Sequence, residues 1–479
     1  MAPEIVLRPI VPEMIVAGAA MAILLVDAFR SSRDRLPLAL IALAAVVGAA
    51  ASAISLWGWD GPGTVLGGMV ASDRYGVFFR LVILGVAALA ILLSLHGRDE
   101  ERGGEFYALL LFSTTGMSLL AVSSDLIMVF LSLEMLSLSL YVLAGSSIRR
   151  PASREAGMKY FLLGAFSTAF LLYGIALAYG ATGTTSLSGI AGALAGRTDD
   201  LGLALAAAAL LTVGFSFKVS AVPFHMWTPD VYQGAPTAVT AFMSAGTKVA
   251  GFAALLRVAS SALGPVGWDL TPALWLVAAL TMVVGSVLAI AQRDVKRLLA
   301  YSSVAHAGFV LVGVVAANQQ GISGAMFYLV AYAAMILGAF GIVMIVAGRD
   351  EERTTMEDYA GLARRSPVLA ASLGLFLLSL AGLPPTAGFI AKVLVFQAAV
   401  DAGHWALVVV GVVATVIAAY FYIRVIVAAY MEEPEDRVAV SRAPVPGFAV
   451  GVAAVLTLLF GVLPFLLLGV LDSASILRF

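Results

Sequence analysis

The sequence predicts an all-α polytopic membrane protein of about fourteen transmembrane helices, and three observations carry that prediction. The 479 residues are 61% hydrophobic and 12% charged, with a mean hydropathy of +1.00, well beyond what a soluble fold supports. Apolar runs long enough to cross a bilayer recur from one end of the chain to the other. Two of these runs are too long for one crossing and carry prolines mid-way, which predicts helices broken inside the membrane.

In chain order the runs lie at about 10–29, 36–57, 75–95, 105–122, 125–147, 153–180, 201–234, 235–260, 270–291, 294–316, 321–347, 366–400, 404–430 and 444–470, numbered here spans 1 to 14. The leader MAPEIVLRP has an acid and prolines where a secretory signal would be basic, so it reads as uncleaved. Ser123-Ser124-Asp125 leaves only a tight turn between spans 4 and 5. Span 7 runs 34 residues from Leu201 to Gly234, roughly 50 Å as one helix against about 30 Å of hydrocarbon. Pro223 and Pro229 lack N–H groups and clash with the preceding turn, so the helix should break there. Gly382-Leu383-Pro384-Pro385 should break span 12 in the same way. A break at that depth is tolerated only where protein or water surrounds the unpaired backbone. The broken spans are five apart, which suggests two five-helix repeats, spans 4–8 and 9–13. A repeat of odd length followed directly by its copy is inserted upside-down. The chain then divides into three N-terminal helices (1–104), the first repeat (105–260), the inverted second repeat (261–430) and a C-terminal helix (431–479).

Orientation follows from the basic residues of the loops. Loops after odd-numbered spans hold Arg30, Arg33, Arg35, Arg98, Arg102, Arg149, Arg150, Arg154, Arg293, Lys296, Arg297, Arg349, Arg353, Arg364, Arg365, Arg437 and Arg442. The opposite side has only Arg8, Arg74, Arg197 and Arg478, which places both termini outside the cytoplasm. The acidic runs Asp99-Glu100-Glu101, Asp350-Glu351-Glu352 and Glu432–Asp436 read as solvated surface. The chain has no cysteine, which excludes thiolate-bound iron–sulfur clusters and disulfides. No glycine-rich phosphate loop, nucleophile triad or metal-ligand spacing is present in the sequence.

The titratable groups are partitioned. Twenty of the 23 arginines fall in loops or termini, whereas four of the five lysines, Lys159, Lys218, Lys248 and Lys392, fall inside apolar spans. Arginine is a fixed charge, but a desolvated lysine can release its proton near neutral pH. A charge at a helix centre costs roughly 2.5–3.5 kcal/mol even on lenient scales, so four such lysines need a reason. Glu134, in FLSLEMLSLSLY, is the one acid deep in a span, and a Glu134–Lys218 pair would set the proton affinity of that lysine. The plainer reading is a structural ion pair between two helices. Lys248 lies mid-span among small residues, Lys392 follows Pro385 toward the outer side, and Lys159 is near enough to the cytoplasmic side to snorkel. The C-terminus of a half-helix can also bind a lysine structurally, the plainer account of Lys392. His225 after the first break and His306 in YSSVAHAGF titrate in a range that suits a relay, though a buried histidine is often a packing residue. Glu13, Asp125, Arg257 and Arg424 lie near span ends and read as solvated or snorkelled. Arg80 is deeper and has no evident partner, and Tyr420-Phe421-Tyr422 reads as belt or packing residues.

The long stretches KVSAVPFHMWTPDVYQGAPT (Lys218–Thr237), GTK ending at Lys248, QRDVKRLLAYSSVAHAGF (Gln292–Phe309) and LPPTAGFIAK (Leu383–Lys392) resemble the antiporter-like membrane subunits of complex I, the proton-pumping NADH–quinone oxidoreductase. Among these the chain is most similar to the N-type subunits. An M-type chain is expected to have glutamate in place of Lys392, and an L-type chain to continue into a lateral helix. The resemblance implies fourteen helices with inverted repeats, a hydrated polar axis, Glu134 and Lys218 as a pair, Lys248 as the central lysine and Lys392 as the output lysine. Lys159, His225 and His306 match further positions of the pattern. It implies no cofactor in this chain, with FMN, iron–sulfur clusters, NADH and quinone held by other subunits. It also implies an M-type neighbour, small membrane subunits and lipid as partners, no nucleic acid, and a bacterial cytoplasmic membrane. A subunit of a multi-subunit sodium–proton antiporter, a stand-alone solute symporter and a non-transporting structural subunit are the rival expectations.

Overall fold

A hydrocarbon environment offers backbone groups no partner but one another, and each apolar run accordingly folds as helix. The computed structural model describes residues 6–30, 34–96, 103–195, 201–262, 264, 267–348, 353–433 and 443–476. Arg33, Arg98, Arg102, Arg197, Arg349, Arg437, Arg442, Arg478, the acidic runs Asp99-Glu100-Glu101 and Asp350-Glu351-Glu352, and the part of Glu432–Asp436 beyond Glu433 lie outside these residues.

The helices are α1 (Val11–Ala28), α2 (Leu36–Ile54), α3 (Arg74–Ser94), α4 (Gly104–Val122), α5 (Leu126–Ala144), α6 (Pro151–Thr182) and α7 (Leu187–Leu194), then α8 (Gly202–Val219), α9 (Trp227–Gly234) and α10 (Thr237–Ser260). They continue with α11 (Gly267–Ile290), α12 (Val295–Ala316), α13 (Gln319–Ala347), α14 (Leu362–Arg365), α15 (Pro367–Ala381), α16 (Ala387–Asp401), α17 (Trp405–Met431), α18 (Pro444–Val462) and α19 (Phe465–Ala474). Among the described residues thirteen helices are long and apolar enough to cross a membrane. The half-helix pair α15–α16 supplies a fourteenth crossing, and α8–α9 is the broken span 7. The C-terminal span differs from expectation: α18 stops at Val462 and Pro464 starts the separate helix α19, so the crossing does not run to residue 470. The short helix α7 and a two-stranded hairpin, β1 (Thr64–Val65) and β2 (Val70–Ala71), are further elements the apolar pattern does not mark.

α10, α12 and α13 are buried around almost their whole circumference, while α1, α6, α17 and α18 turn a broad apolar face outward. The innermost helices therefore carry Lys248 and His306.

The inverted repeats share one piece of hydrogen bonding. Asp125 caps α5 by accepting from the N–H of Ile127 and takes the Thr185 hydroxyl at 2.7 Å, while the Leu126 N–H donates to the Thr185 carbonyl. At the same constant spacing along the chain, Asp294 caps α12 by accepting from the N–H of Arg297 and takes the Thr354 hydroxyl at 2.5 Å, while the Val295 N–H donates to the Thr354 carbonyl. An aspartate at an N-cap satisfies donors that hydrocarbon cannot.

Several charges expected to be solvated are instead paired in the interior. Arg80 binds Glu13 at 2.6 Å with both side chains buried, so the acid near the start of α1 is the partner the sequence did not reveal. Arg257 forms a two-pronged pair with Asp73, at 2.8 and 3.0 Å, and lies over the Tyr75 ring. Asp125 is buried, and Arg424 donates to the carbonyls of Ile290 and Gln292. The physical reason is common to all: a charge at the rim of the hydrocarbon satisfies itself on a neighbouring helix when one is in reach. Asp73→Asn is expected to destabilise by about 3–5 kcal/mol, because Arg257 would remain buried without its countercharge. Thermal unfolding of the assembled protein in detergent measures it; a midpoint equal to wild type would contradict the pairing.

Candidate functional site

A broken helix exposes carbonyls at the C-terminus of its first half. α8 ends at Val219 and α15 ends at Ala381, each the same number of residues before the proline of its break. Lys248, on α10, donates to the Val219 carbonyl at 2.8 Å, and Lys392, on α16, donates to the Ala381 carbonyl at 2.9 Å. Both lysines are buried, and Lys392 also lies 4.6 Å from the centre of the Phe309 ring. The contact proposed as the plainer account of Lys392 is thus present, and Lys248 repeats it in the other half. Gly382 makes room for it. Its φ of +89° suits glycine, and a Cβ there would meet the Lys392 side chain at 2.9 Å.

Lys218 is equally buried and donates to the Ser137 hydroxyl at 2.8 Å. Ser137 in turn donates to the Leu133 carbonyl, and the Tyr160 ring faces the ammonium at 5.8 Å. Glu134 is one turn from Ser137 on α5, yet it does not form the expected ion pair. Its Oε1 accepts from the Thr168 hydroxyl on α6 at 2.7 Å. The acid and the lysine are neighbours bonded to different hydroxyls, Thr168 for Glu134 and Ser137 for Lys218, and they are not joined in a direct ion pair in this structure.

His306 is buried with one ring nitrogen hydrogen-bonded to the Tyr328 hydroxyl at 2.7 Å and the other to that of Tyr422 at 3.1 Å. Tyr422 is also bonded to Ser302. Of the belt and packing readings, Tyr422 takes the second: α17 turns it inward, where its hydroxyl joins α12. His225 lies between α8 and α9, partly exposed, and its Nδ1 has no hydrogen-bond partner among the described residues. The structure does not bring it into hydrogen bonding with the lysines.

Asp230 is a hub that sequence reading missed, although it sits in the quoted motif. It accepts from Lys159 at 2.7 Å and from Arg297 at 2.7 Å, linking α9 to α6 and α12. Lys159 also pairs with Glu155 and is 42% exposed, as a snorkelling side chain would be. Lys296 is buried and donates to the Ala235 carbonyl at 2.7 Å, so it belongs to the packed interior and not to a loop. A cavity of about 460 Å³ opens beside this hub, on the face where the odd-numbered spans end.

Three comparisons define the class. Residues 123–418 match the family model described as NADH:quinone oxidoreductase/Mrp antiporter, TM. A subunit N of NADH-quinone oxidoreductase from Trichlorobacter lovleyi is 45% identical over 467 residues, covering 96% of this chain and 95% of that one. A chain in a structure of respiratory complex I from Thermus thermophilus with bound aureothin superposes with a TM-score of 0.82 at 37% identity, covering 96% of this chain and 98% of its own. A chain of the Mrp complex from Dietzia sp. superposes with a TM-score of 0.85 at 22% identity, covering 98% and 97%, and at that identity the likeness concerns the fold alone. The protein is an antiporter-like membrane subunit. Within that class it belongs to the subunit N family of NADH-quinone oxidoreductase, and it is part of a multisubunit membrane complex.

Gly382→Ala is expected to lower stability by about 1–2 kcal/mol through the left-handed backbone alone, with displacement of the Lys392 ammonium added. Thermal unfolding of the purified assembly measures the change, and an unaltered midpoint would argue against the tight fit at Ala381.

Proposed function

We propose that the chain moves protons from cytoplasm to periplasm as a membrane-arm subunit of a bacterial NADH–quinone oxidoreductase, with both termini periplasmic. The observation that carries the reading is the chemistry at Lys218, Lys248 and Lys392. Each buried ammonium donates to a neutral oxygen and none to a carboxylate among the described residues. At Lys248 and Lys392 loss of a proton strands no paired acid and the neutral amine can still donate to its carbonyl, while at Lys218 it can still donate to the Ser137 hydroxyl.

In this reading a proton enters from the cytoplasm near α9 and α10, where the cavity beside Asp230 and Lys159 lies. It is held at Lys218 or Lys248, passes over bound water and the His306–Tyr422 hydroxyl network to Lys392, and leaves on the periplasmic side. Movement of Glu134 relative to Lys218 couples this unit to charge changes in its neighbours, an M-type subunit and the small membrane subunits. His225 and Lys159 are auxiliary. FMN, iron–sulfur clusters and quinone belong to partner subunits, so no redox chemistry occurs in this chain. Moving one charge against 100 mV requires about 2.3 kcal/mol. A roughly fiftyfold change in proton affinity at one lysine supplies that, so rearranging a single partner is sufficient in magnitude. Sodium exchange is the competing activity of the shared fold. The 45% identity to a subunit N over nearly the whole chain favours the oxidoreductase over the antiporter.

Lys248→Ala is expected to lower protons pumped per NADH oxidised in vesicles carrying the whole complex, with NADH oxidation by an artificial acceptor unchanged. Undiminished pumping would remove the central step, and sodium-dependent proton exchange without NADH would favour the antiporter.

A further inference from the structure

Glu134 is where the proposed coupling acts, and the structure supplies the group that sets its position. Its carboxylate is only partly buried and accepts from Thr168 on α6. Ser137, one turn further along the same face of α5, holds Lys218 from α8. Thr168, Ser137 and Lys218 line a single small cavity of about 10 Å³, close to the space one water occupies. Gly164 and Gly214 let α6 pack closely against α5 and α8 around this cavity. A Cβ at Gly164 would fall 2.0 Å from the Tyr141 hydroxyl, and one at Gly214 would fall 2.8 Å from Leu171. The Thr168 hydroxyl holds the Glu134 carboxylate while the Ser137 hydroxyl, one turn along α5, holds the Lys218 ammonium, so the threonine and the lysine stand as alternative partners for one carboxylate.

We propose that Thr168 is a positioning residue that holds the Glu134 carboxylate away from Lys218, so that the acid has two stable positions, one on the Thr168 hydroxyl and one on the ammonium. The proposal rests on the proton-translocating reading and adds to it the element that makes separation a discrete state. Without a competing donor, a carboxylate this close to a buried ammonium would stay on it, because the pair loses much by parting in a medium of low dielectric. A hydrogen bond from Thr168 opposes that attraction, and a hydrogen bond to a charged group is strong enough to shift a two-position equilibrium by about tenfold or more. Thr168 makes no contact with the transferred proton. It acts through Glu134.

The test is a cycle of variants in the intact complex: Thr168→Val, Thr168→Ser, Glu134→Gln, and Thr168→Val with Glu134→Gln. Valine keeps the shape of threonine and removes the donor. Thr168→Val is expected to slow NADH-driven proton pumping about five- to tenfold, and Thr168→Ser to restore most of the rate. In the Glu134→Gln background the valine substitution is expected to add less than about twofold, since the group it positions has changed. Wild-type pumping in Thr168→Val would overturn the proposal. So would an equal loss from Thr168→Val in both backgrounds, which would mark Thr168 as a packing residue. A complex in which Lys248→Ala abolishes pumping while Thr168→Val has no effect would overturn the positioning role and leave the translocation reading standing. Undiminished pumping in Lys248→Ala would strike that reading itself.

Discussion

Everything in this fold answers to one constraint: a polar group in hydrocarbon must find its partner within the protein. Breaking α8–α9 and α15–α16 creates carbonyls at Val219 and Ala381 that no helical N–H can reach. The negative end of a half-helix attracts a cation, and Lys248 and Lys392 occupy those two positions. The breaks and the lysines are therefore one feature. An unbroken helix would leave the amines without acceptors, and the breaks without the amines would leave bare carbonyls at the centre of the membrane.

The constraint also separates two kinds of cation. Arg424 takes backbone carbonyls, whereas three other inward arginines take carboxylates, Arg80 on Glu13, Arg257 on Asp73 and Arg297 on Asp230. These are permanent charges with permanent countercharges, and they tie α1 to α3, α3 to α10 and α9 to α12. The three deep lysines take neutral oxygens. An ion pair at those positions would hold the proton. A carbonyl or a hydroxyl accepts from ammonium and amine alike, so the charge can come and go without rebuilding the surroundings. On the proposed reading, the deep lysines differ from these paired arginines in the acceptors they are given.

Much of this was legible in the sequence because hydropathy reports depth. Apolar runs with Pro223 and Pro385 in their middles marked the broken helices, and lysines within such runs marked Lys218, Lys248 and Lys392. Hydropathy does not report which way a side chain points. Tyr422 and Tyr420 flank Phe421, and only the packing of α17 tells that Tyr422 faces His306 while Tyr420 faces outward. Glu13 and Arg257 lie near span ends, where solvation or snorkelling is the expectation, and their partners Arg80 and Asp73 come from elements distant in the chain. Thr168 is one threonine in an apolar helix and carries no signal until its hydroxyl is seen on Glu134.

The two repeats share a scaffold but not their charges. Asp230 and Lys392 stand the same number of residues past Pro223 and Pro385, so they are the same position of the repeated unit. In the second half the residue there is a lysine, and it turns back onto the end of its own first half-helix. In the first half it is an acid, bonded to Lys159 and Arg297 beside a cavity, and the lysine that serves the equivalent carbonyl comes from α10. Inversion points the two units at opposite faces of the membrane. In the proposed translocation, the carboxylate bonded to Lys159 and Arg297 beside the cavity would serve uptake, and the amine beside the Phe309 ring would serve release. On that reading, acid in place of amine at one position of the repeated unit is what distinguishes the two ends.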